Sequence, residues 1–238
     1  MAATDVLRGL HHGPSLLVLP NAWDVASARV LAGVPGVRAL ATTSGGVARS
    51  LGWEDGEQTP VEEMLRVVER IAAAVSIPVT ADLEAGYGDP AQTATAAVEA
   101  GAAGMNLEDS HGRELVPLAE QIEILRTVRA AAPSLVLNAR VDVFLKGSGD
   151  VAEAVARANA YLAAGADCVF PIFAPRDVLE ELVRGIAGPV NVLARTGEPL
   201  EPYRAAGVAR ITFGSGLASA ALAEAERLVR EAVAADLL

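Results

Sequence analysis

The sequence predicts a closed (β/α)8 barrel of the TIM type, and three observations carry that prediction. Short, nearly continuous apolar runs alternate with helical patterns along the chain, the signature of a parallel sheet covered by helices. The punctuation repeats with them. Ala-Gly pairs close helices before new strands at Gly33, Gly101, Gly165 and Gly207, where glycine can take the left-handed stop, and Pro78 and Pro189 introduce two other strands. At 238 residues the chain suits a single barrel domain over 1–238 with a substantial core. An open doubly wound sheet is the runner-up, but the first strand-helix turn, LPNAWD, lacks the glycine fingerprint of a dinucleotide site.

In chain order, residues 2–12 read as a short helix whose Val6, Leu7 and Leu10 dock on a barrel end, with His11 and His12 as surface histidines at its C-terminus. Strands follow at 16–19, 37–42, 79–82, 104–108, 135–140, 168–172, 190–194 and 209–213. Asn21 is the expected N-cap of the helix that ends at Gly33. Further helices are expected at about 60–75, 91–100, 118–131, 150–164, 176–186, 200–206 and 217–235. The last presents Leu217, Leu222, Ala225, Leu228 and Val229 on one side, so it packs on its own barrel or on a second copy.

Composition sets further bounds. Hydrophobic residues make up 52% but aromatics only 4%, so Ala, Val and Leu must fill the core. A net charge of -11 without a basic stripe argues against nucleic-acid and anionic-membrane partners. No apolar run is long enough to span a bilayer and the first residues lack a signal peptide's apolar stretch, so a cytoplasmic location is expected. Cys168 is the only cysteine, which excludes an internal disulfide and a cysteine zinc cage; it reads as a buried strand residue.

The chemistry concentrates at 78–90, PVTADLEAGYGDP. A buried strand delivers Asp82 and Glu84 just before Gly86, Gly88 and Pro90 break the regular structure. Residues two apart on a strand point to one side, so the carboxylates project together and offer oxygens to a hard divalent cation such as Mg2+. The plain alternative makes Asp82 a turn cap and Glu84 a solvated charge. In a barrel the loops after the strands share one face, which adds Asn21, Asp24, Thr43, Ser44, Gly45, Gly46, Glu108, Asp109, Asn138, Arg140 and Asp142 to the same mouth.

Together the stretches LPNAWD (19–24), TTSGG (42–46), LGWEDG (51–56), ADLEAGYG (81–88), NLEDS (106–110) and NARVDVF (138–144) resemble the isocitrate lyase and phosphoenolpyruvate mutase superfamily. The resemblance covers residues 16 to about 170; beyond that only the architecture matches. It implies that Asp82 ligates Mg2+ directly, Mn2+ being a possible substitute, with Glu84 and Glu108 acting through waters and Asp55 supporting the same network. Glu84 stands where several relatives carry aspartate. Ser44, Gly45 and Gly46 would surround the carboxylate and keto oxygen of a small 2-oxo acid, with Asn21 nearby, and Arg140 would balance its charge. Ser44 to Gly46 also fits an ordinary turn, and Arg140 also fits a salt bridge to Glu108 or Asp109. The resemblance further implies a homodimer or homotetramer with the last helix swapped onto a neighbour.

One departure shapes the expected activity. The family's cysteine lyases carry a Lys-Lys-Cys-Gly-His type loop after the Glu-Asp motif, whereas here NLEDS runs through HGRELVPLAEQ into a helix, leaving His111 and Arg113. A shortened lid leaves the site wet, which favours decarboxylation or retro-aldol cleavage of an oxaloacetate-like substrate through an enolate over P-C bond chemistry. His111 is a candidate proton donor, or an exposed loop histidine. Two rivals stand beside this reading: a Schiff-base aldolase using Lys146, the sole lysine, and a non-catalytic binder of 2-oxo acids.

Overall fold

Each apolar run becomes a short strand that must pair on both edges, and the pairing closes on itself. The computed structural model describes residues 1–112 and 114–236. Strand β1 comprises Leu17–Val18 and, past Leu19-Pro20, Asn21–Ala22; β2 is Leu40–Thr42, β3 Val79–Asp82 and β4 Gly104–Leu107. Strand β5 is Val136–Val141, β6 Cys168–Pro171, β7 Asn191–Leu193 and β8 Arg210–Thr212. Neighbours pair in parallel from β1 through β6, and β7 pairs with β8. The bridge between Val169 and Val190 links β6 to β7, and Leu17 opposite Arg210 joins β8 back to β1. The ring is complete, as the apolar runs and glycine stops required.

Helices cover the outside: α1 (Ala3–Leu10), α2 (Val25–Ala32), α3 (Ser44–Leu51), α4 (Val61–Ala74), α5 (Pro90–Glu99) and α6 (Leu118–Ala131). After them come α7 (Val143–Lys146), α8 (Val151–Ala163), α9 (Leu179–Gly185), α10 (Glu201–Ala205) and α11 (Gly216–Asp236). Their inner faces bury Met64, Val68, Leu125, Val128, Ala154 and Ala158, and the alanines let helices approach the sheet closely. On the barrel floor α1 places Leu7 and Leu10 against Leu17, Leu19, Ala103 and Val136. Burying a leucine there contributes roughly 2 kcal/mol. Among the described residues no helix is long and apolar enough to cross a membrane.

Several local expectations are corrected. Asp24, not Asn21, caps α2: it accepts from the Ser27 N–H at 2.7 Å while Ser27 Oγ accepts from the Asp24 N–H at 3.1 Å. Asn21 remains in β1 because its amide ties neighbouring strands, donating to Thr42 O and accepting from Phe213 N–H, both at 2.7 Å. Gly33 is right-handed at φ -75°, whereas Gly101, Gly165 and Gly207 take the left-handed stop at φ +82°, +111° and +77°. His11 is not at the surface. It is buried, and its Nδ1–H donates to Leu7 O at 2.8 Å. Burial, aided by the nearby Arg210 charge, pushes its imidazole down to about 4.

Candidate active site

Toward the strands' C-terminal ends the barrel interior carries polar side chains that end in a carboxylate. Asn138 donates to Asn106 at 2.7 Å, and Asn106 donates to Asp82 Oδ1 at 3.3 Å. The other oxygen, Asp82 Oδ2, accepts from the Ser44 N–H at 2.9 Å, and the Asp82 N–H donates to Thr42 Oγ1 at 2.9 Å. Asp82 is thereby fixed at the end of β3 with its carboxylate aimed over the mouth.

That mouth is a cavity of about 1300 Å3 whose lining includes Ser44, Asp55, Asp82, Glu84, Glu108 and Arg140. The four proposed metal-site carboxylates thus share one space, although Glu84 reaches it by a different route from strand alternation. It lies beyond β3 at φ +52°, and the turn, not the pleat, swings it toward Asp82. The Tyr87 hydroxyl donates to Glu84 Oε1 at 2.8 Å and the Glu57 N–H to Oε2 at 2.7 Å; Glu57 in turn accepts from the Tyr87 N–H at 2.6 Å. Burial pushes the Glu84 carboxyl up to about 7, with Asp82 and Asp55 adding repulsion against these hydrogen bonds. Glu57, Glu84, Tyr87 and Phe173 are the non-glycine residues with positive φ among those described, and all lie at or beside this cavity. Backbone strain of roughly 1–3 kcal/mol each therefore clusters at the mouth.

Arg140 forms paired contacts with Glu108 and with Asp142, donating to the latter at 2.6 and 2.7 Å. Burial pulls its guanidinium down but these carboxylates outweigh it, so its pKa rises and the positive charge is secure. Glu108 is pushed up by burial, with Arg140 opposing. Asp109 is not Arg140's partner. It is fully buried and accepts from Tyr161 OH at 2.6 Å and the Asp142 N–H at 2.7 Å, bracing the loop after β5.

The segment TTSGG forms the start of α3, with Thr43 as N-cap at 3.4 Å from the Gly46 N–H, so the ordinary-turn alternative is replaced by a helix N-terminus. Thr43 and Ser44 line the cavity; Gly45 and Gly46 lie outside its lining, as does Asn21, whose amide is already engaged. Gly45 serves another purpose: a Cβ there would stand 2.8 Å from Asp55 Oδ2 and 2.9 Å from Ser215 Oγ, so its absence lets Asp55 approach. Ser215, from ITFGSGLASA, hydrogen-bonds Thr43 at 2.9 Å and closes the turn against α3.

NLEDS does not run straight into a helix. Ser110–His111 and Glu114–Leu115 form a small antiparallel hairpin at the cavity edge, and Ser110 Oγ donates to Asp142. His111 is exposed and lines the cavity; Arg113 lies outside the described residues. Lys146 is exposed and donates to Gly112 O at 2.7 Å, a solvated setting without the burial a Schiff-base nucleophile needs. Cys168 is fully buried, its thiol pushed up to about 12 by burial, and is chemically idle. Residues missed in the sequence are Tyr87, Glu57 and Asn106 as positioning groups, whereas Asp142, placed at the mouth by the sequence, holds Arg140. Tyr87 had a signal, an aromatic held between two turn glycines in AGYG.

The donor set fits a hard cation in a limited way. Among the described residues no three metal-binding side chains converge tightly enough to hold an ion, so the hard oxygens of Asp82 would be the direct contact and water would complete the shell.

Comparison with known proteins agrees with the barrel fold. The phosphoenolpyruvate phosphomutase family model matches residues 7–233. An uncharacterised protein of Mycobacterium tuberculosis strain H37Rv is 36% identical over 224 residues, covering 93% of this chain and 86% of its own. The 2-methylisocitrate lyase of Bacillus subtilis strain 168 is 30% identical over 176 residues, 69% of this chain and 58% of the relative. The structure of oxaloacetate acetylhydrolase with the inhibitor 3,3-difluorooxalacetate superposes with a TM-score of 0.85 at 27% identity, covering 96% of this chain and 86% of that one. With its closed barrel, its acidic mouth and a match over nearly its whole length, the chain belongs to the phosphoenolpyruvate phosphomutase family, within the PEP mutase and isocitrate lyase superfamily.

Proposed function

We propose that the protein is a Mg2+-dependent lyase that cleaves the Cα–Cβ bond, one carbon removed from the carbonyl, of a small oxaloacetate-like 2-oxo carboxylate, by decarboxylation or retro-aldol cleavage. The observation that carries this is the meeting of Asp82, Glu84 and Glu108 with Arg140 in one cavity beside the N-terminus of α3. The kinship with 2-methylisocitrate lyase and oxaloacetate acetylhydrolase supports a carbon-carbon lyase.

Bound at Asp82, the cation would supply charge stabilisation to the carbonyl oxygen as the Cα–Cβ bond breaks. The rest falls to the chain's own groups. Ser44 N–H and Asn106 hold Asp82 in one rotamer, so no reorganisation is needed as charge develops. The Ser44 hydroxyl, at the positive end of α3, suits a substrate carboxylate. Arg140, pinned between Glu108 and Asp142, presents a fixed positive charge. The short hairpin leaves the cavity open to water, which provides the proton for the product carbanion, with His111 the side chain placed to relay it.

The test is turnover of oxaloacetate and related 2-oxo acids with Mg2+ or Mn2+. Activity should vanish with EDTA and fall at least about a hundredfold in Asp82→Ala. Thermal stabilisation by these acids with no product would instead establish a binder.

A further inference from the structure

We infer that Arg210, deep in the barrel, is a positioning residue for Asp82: through one buried water it donates to Asn138 and so fixes the direction of the Asn138–Asn106 amide chain that ends on the Asp82 carboxylate. This rests on the reading of Asp82 as the direct contact of the cation.

Register places the four side chains on successive steps. In a tilted barrel, residues paired across neighbouring strands differ in height by about one position, and inward side chains from alternate strands form each interior layer. Followed from β8 back to β4, the pairs Arg210–Asn191, Val190–Val169, Cys168–Asn138 and Asn138–Asn106 set Arg210 level with Cys168 and Gly104. Asn138 stands one layer above, Asn106 the next and Asp82 the next again, at the mouth. The upper steps are already joined, since Asn138 donates to Asn106 Oδ1 and Asn106 to Asp82 Oδ1.

The unused polar atoms meet where the lowest step is open. Apart from Thr59 Oγ1, the buried side-chain atoms without a hydrogen-bond partner among the described residues are Arg210 Nε, Nη1 and Nη2, Asn138 Oδ1, Thr80 Oγ1 and His11 Nε2. Thr80 shares the layer of Asn138, and His11 follows the helix that covers the barrel floor. Gly104 keeps the junction clear, because a Cβ there would stand 2.9 Å from Thr80 Oγ1. A water among Arg210, Asn138 and Thr80 has the three polar partners that a buried water typically takes.

Stability does not account for the guanidinium. Arg210 is fully buried, and burial pulls its pKa down to about 10, which leaves it charged at neutral pH; Asp82 is the carboxylate whose charge opposes that fall. A buried charge without a counter-ion costs stability, and an apolar side chain of similar volume is often neutral or stabilising in its place. Direction does account for it. Arg210 can only donate and the Asp82 carboxylate can only accept, so the two ends impose one orientation on both amides. With Asn138 reversed, its NH2 would face the guanidinium and its oxygen would face Asn106 Oδ1; Asn106 would turn in response and set an oxygen against Asp82. Asp82 would then lose a bond that holds its carboxylate over the mouth.

Nitrogen-15 NMR of the full chain, without metal or substrate, reads the amide chain directly. In Arg210→Met the side-chain NH2 signals of Asn138 and Asn106 should shift and exchange with solvent at least about tenfold faster, and Arg210→Lys, which keeps a charged donor, should restore most of the protection. Arg210→Met should melt no lower than its parent, while its kcat for oxaloacetate in saturating Mg2+ falls about tenfold at nearly unchanged KM. Joined to Asn138→Leu it should add nothing to the loss that Asn138→Leu causes alone, because both break one chain. Unmoved amide signals in Arg210→Met, or losses that multiply in the double variant, overturn the inference. So does an Arg210→Met chain that melts well below its parent or fails to fold, since stability would then be the task of Arg210. If the unaltered protein turns over no 2-oxo acid, the proposed activity fails, and the amide signals still decide the role of Arg210.

Discussion

Glu84 combines a left-handed backbone, a buried carboxylate and two acidic neighbours, and it is held there by Tyr87 and Glu57. Tyr87→Phe removes one charge-assisted hydrogen bond without removing the ring. Mg2+ affinity measured by calorimetry should fall several-fold, up to about tenfold, because the carboxylate then rises further above its ordinary range. His11 makes the opposite kind of prediction. Its folded-state pKa, down at about 4 against 6.5, means that its stabilising contribution is complete above 6.5 and is lost as pH falls toward 4. In His11→Leu that loss is absent. Urea unfolding of the two proteins between pH 7 and 4 should show the variant gaining up to about 3 kcal/mol relative to its parent as the solution is acidified. A constant difference across that range would mean His11 is solvated.

The start of α3 shows how two adjacent glycines can serve different ends. A Cβ at Gly46 would meet Thr43 Cγ2 at 2.6 Å and Trp23 Cβ at 3.1 Å, both in packed surroundings. A Cβ at Gly45 meets Asp55 and Ser215 side-chain oxygens, and Asp55 is exposed and able to move. Gly46→Ala should therefore cost roughly 1–3 kcal/mol of stability. Gly45→Ala should leave the melting temperature nearly intact but displace Asp55 and reduce kcat/KM. Thermal melts and kinetics on the pair separate these outcomes. This helix also marks where sequence reading stops. The barrel strands were legible because buried parallel strands need continuous apolar runs, and the mouth residues because only the strands' C-terminal ends open onto one face. Helix α3 was not, since Gly45-Gly46 has poor helix propensity and the turn is stabilised by the Thr43 cap and by burial. The same limit applies to Asn21 and His11, whose roles depend on partners remote in sequence or on burial that only the closed barrel creates.

Helix α11 is the part of the molecule that its own barrel does not use. Over 21 residues, roughly 31 Å, Ala218 is buried near its start, whereas Leu222, Leu228, Val229 and Val233 are between 53% and 63% exposed. Ion pairs between Arg227 and Glu231 and between Arg230 and Glu226 help it stay helical without cover. An amphipathic helix that leaves its leucines and valines in water is expected to bury them on a second copy of the chain, as the resemblance to the family implied. Two copies would each carry a net charge of -11, so their repulsion opposes this apolar contact. Salt screens the repulsion and leaves the apolar attraction in place. Light scattering after gel filtration should therefore give a dimer or tetramer whose dissociation constant falls as NaCl rises from 0.05 to about 0.5 M, a range over which the Debye length shrinks severalfold. Leu222→Asp with Val229→Asp should give a folded monomer with unchanged far-ultraviolet circular dichroism. A monomer at high protein concentration and high salt would mean that α11 stands alone, and an association that weakens with salt would place charged groups, not this stripe, at the contact.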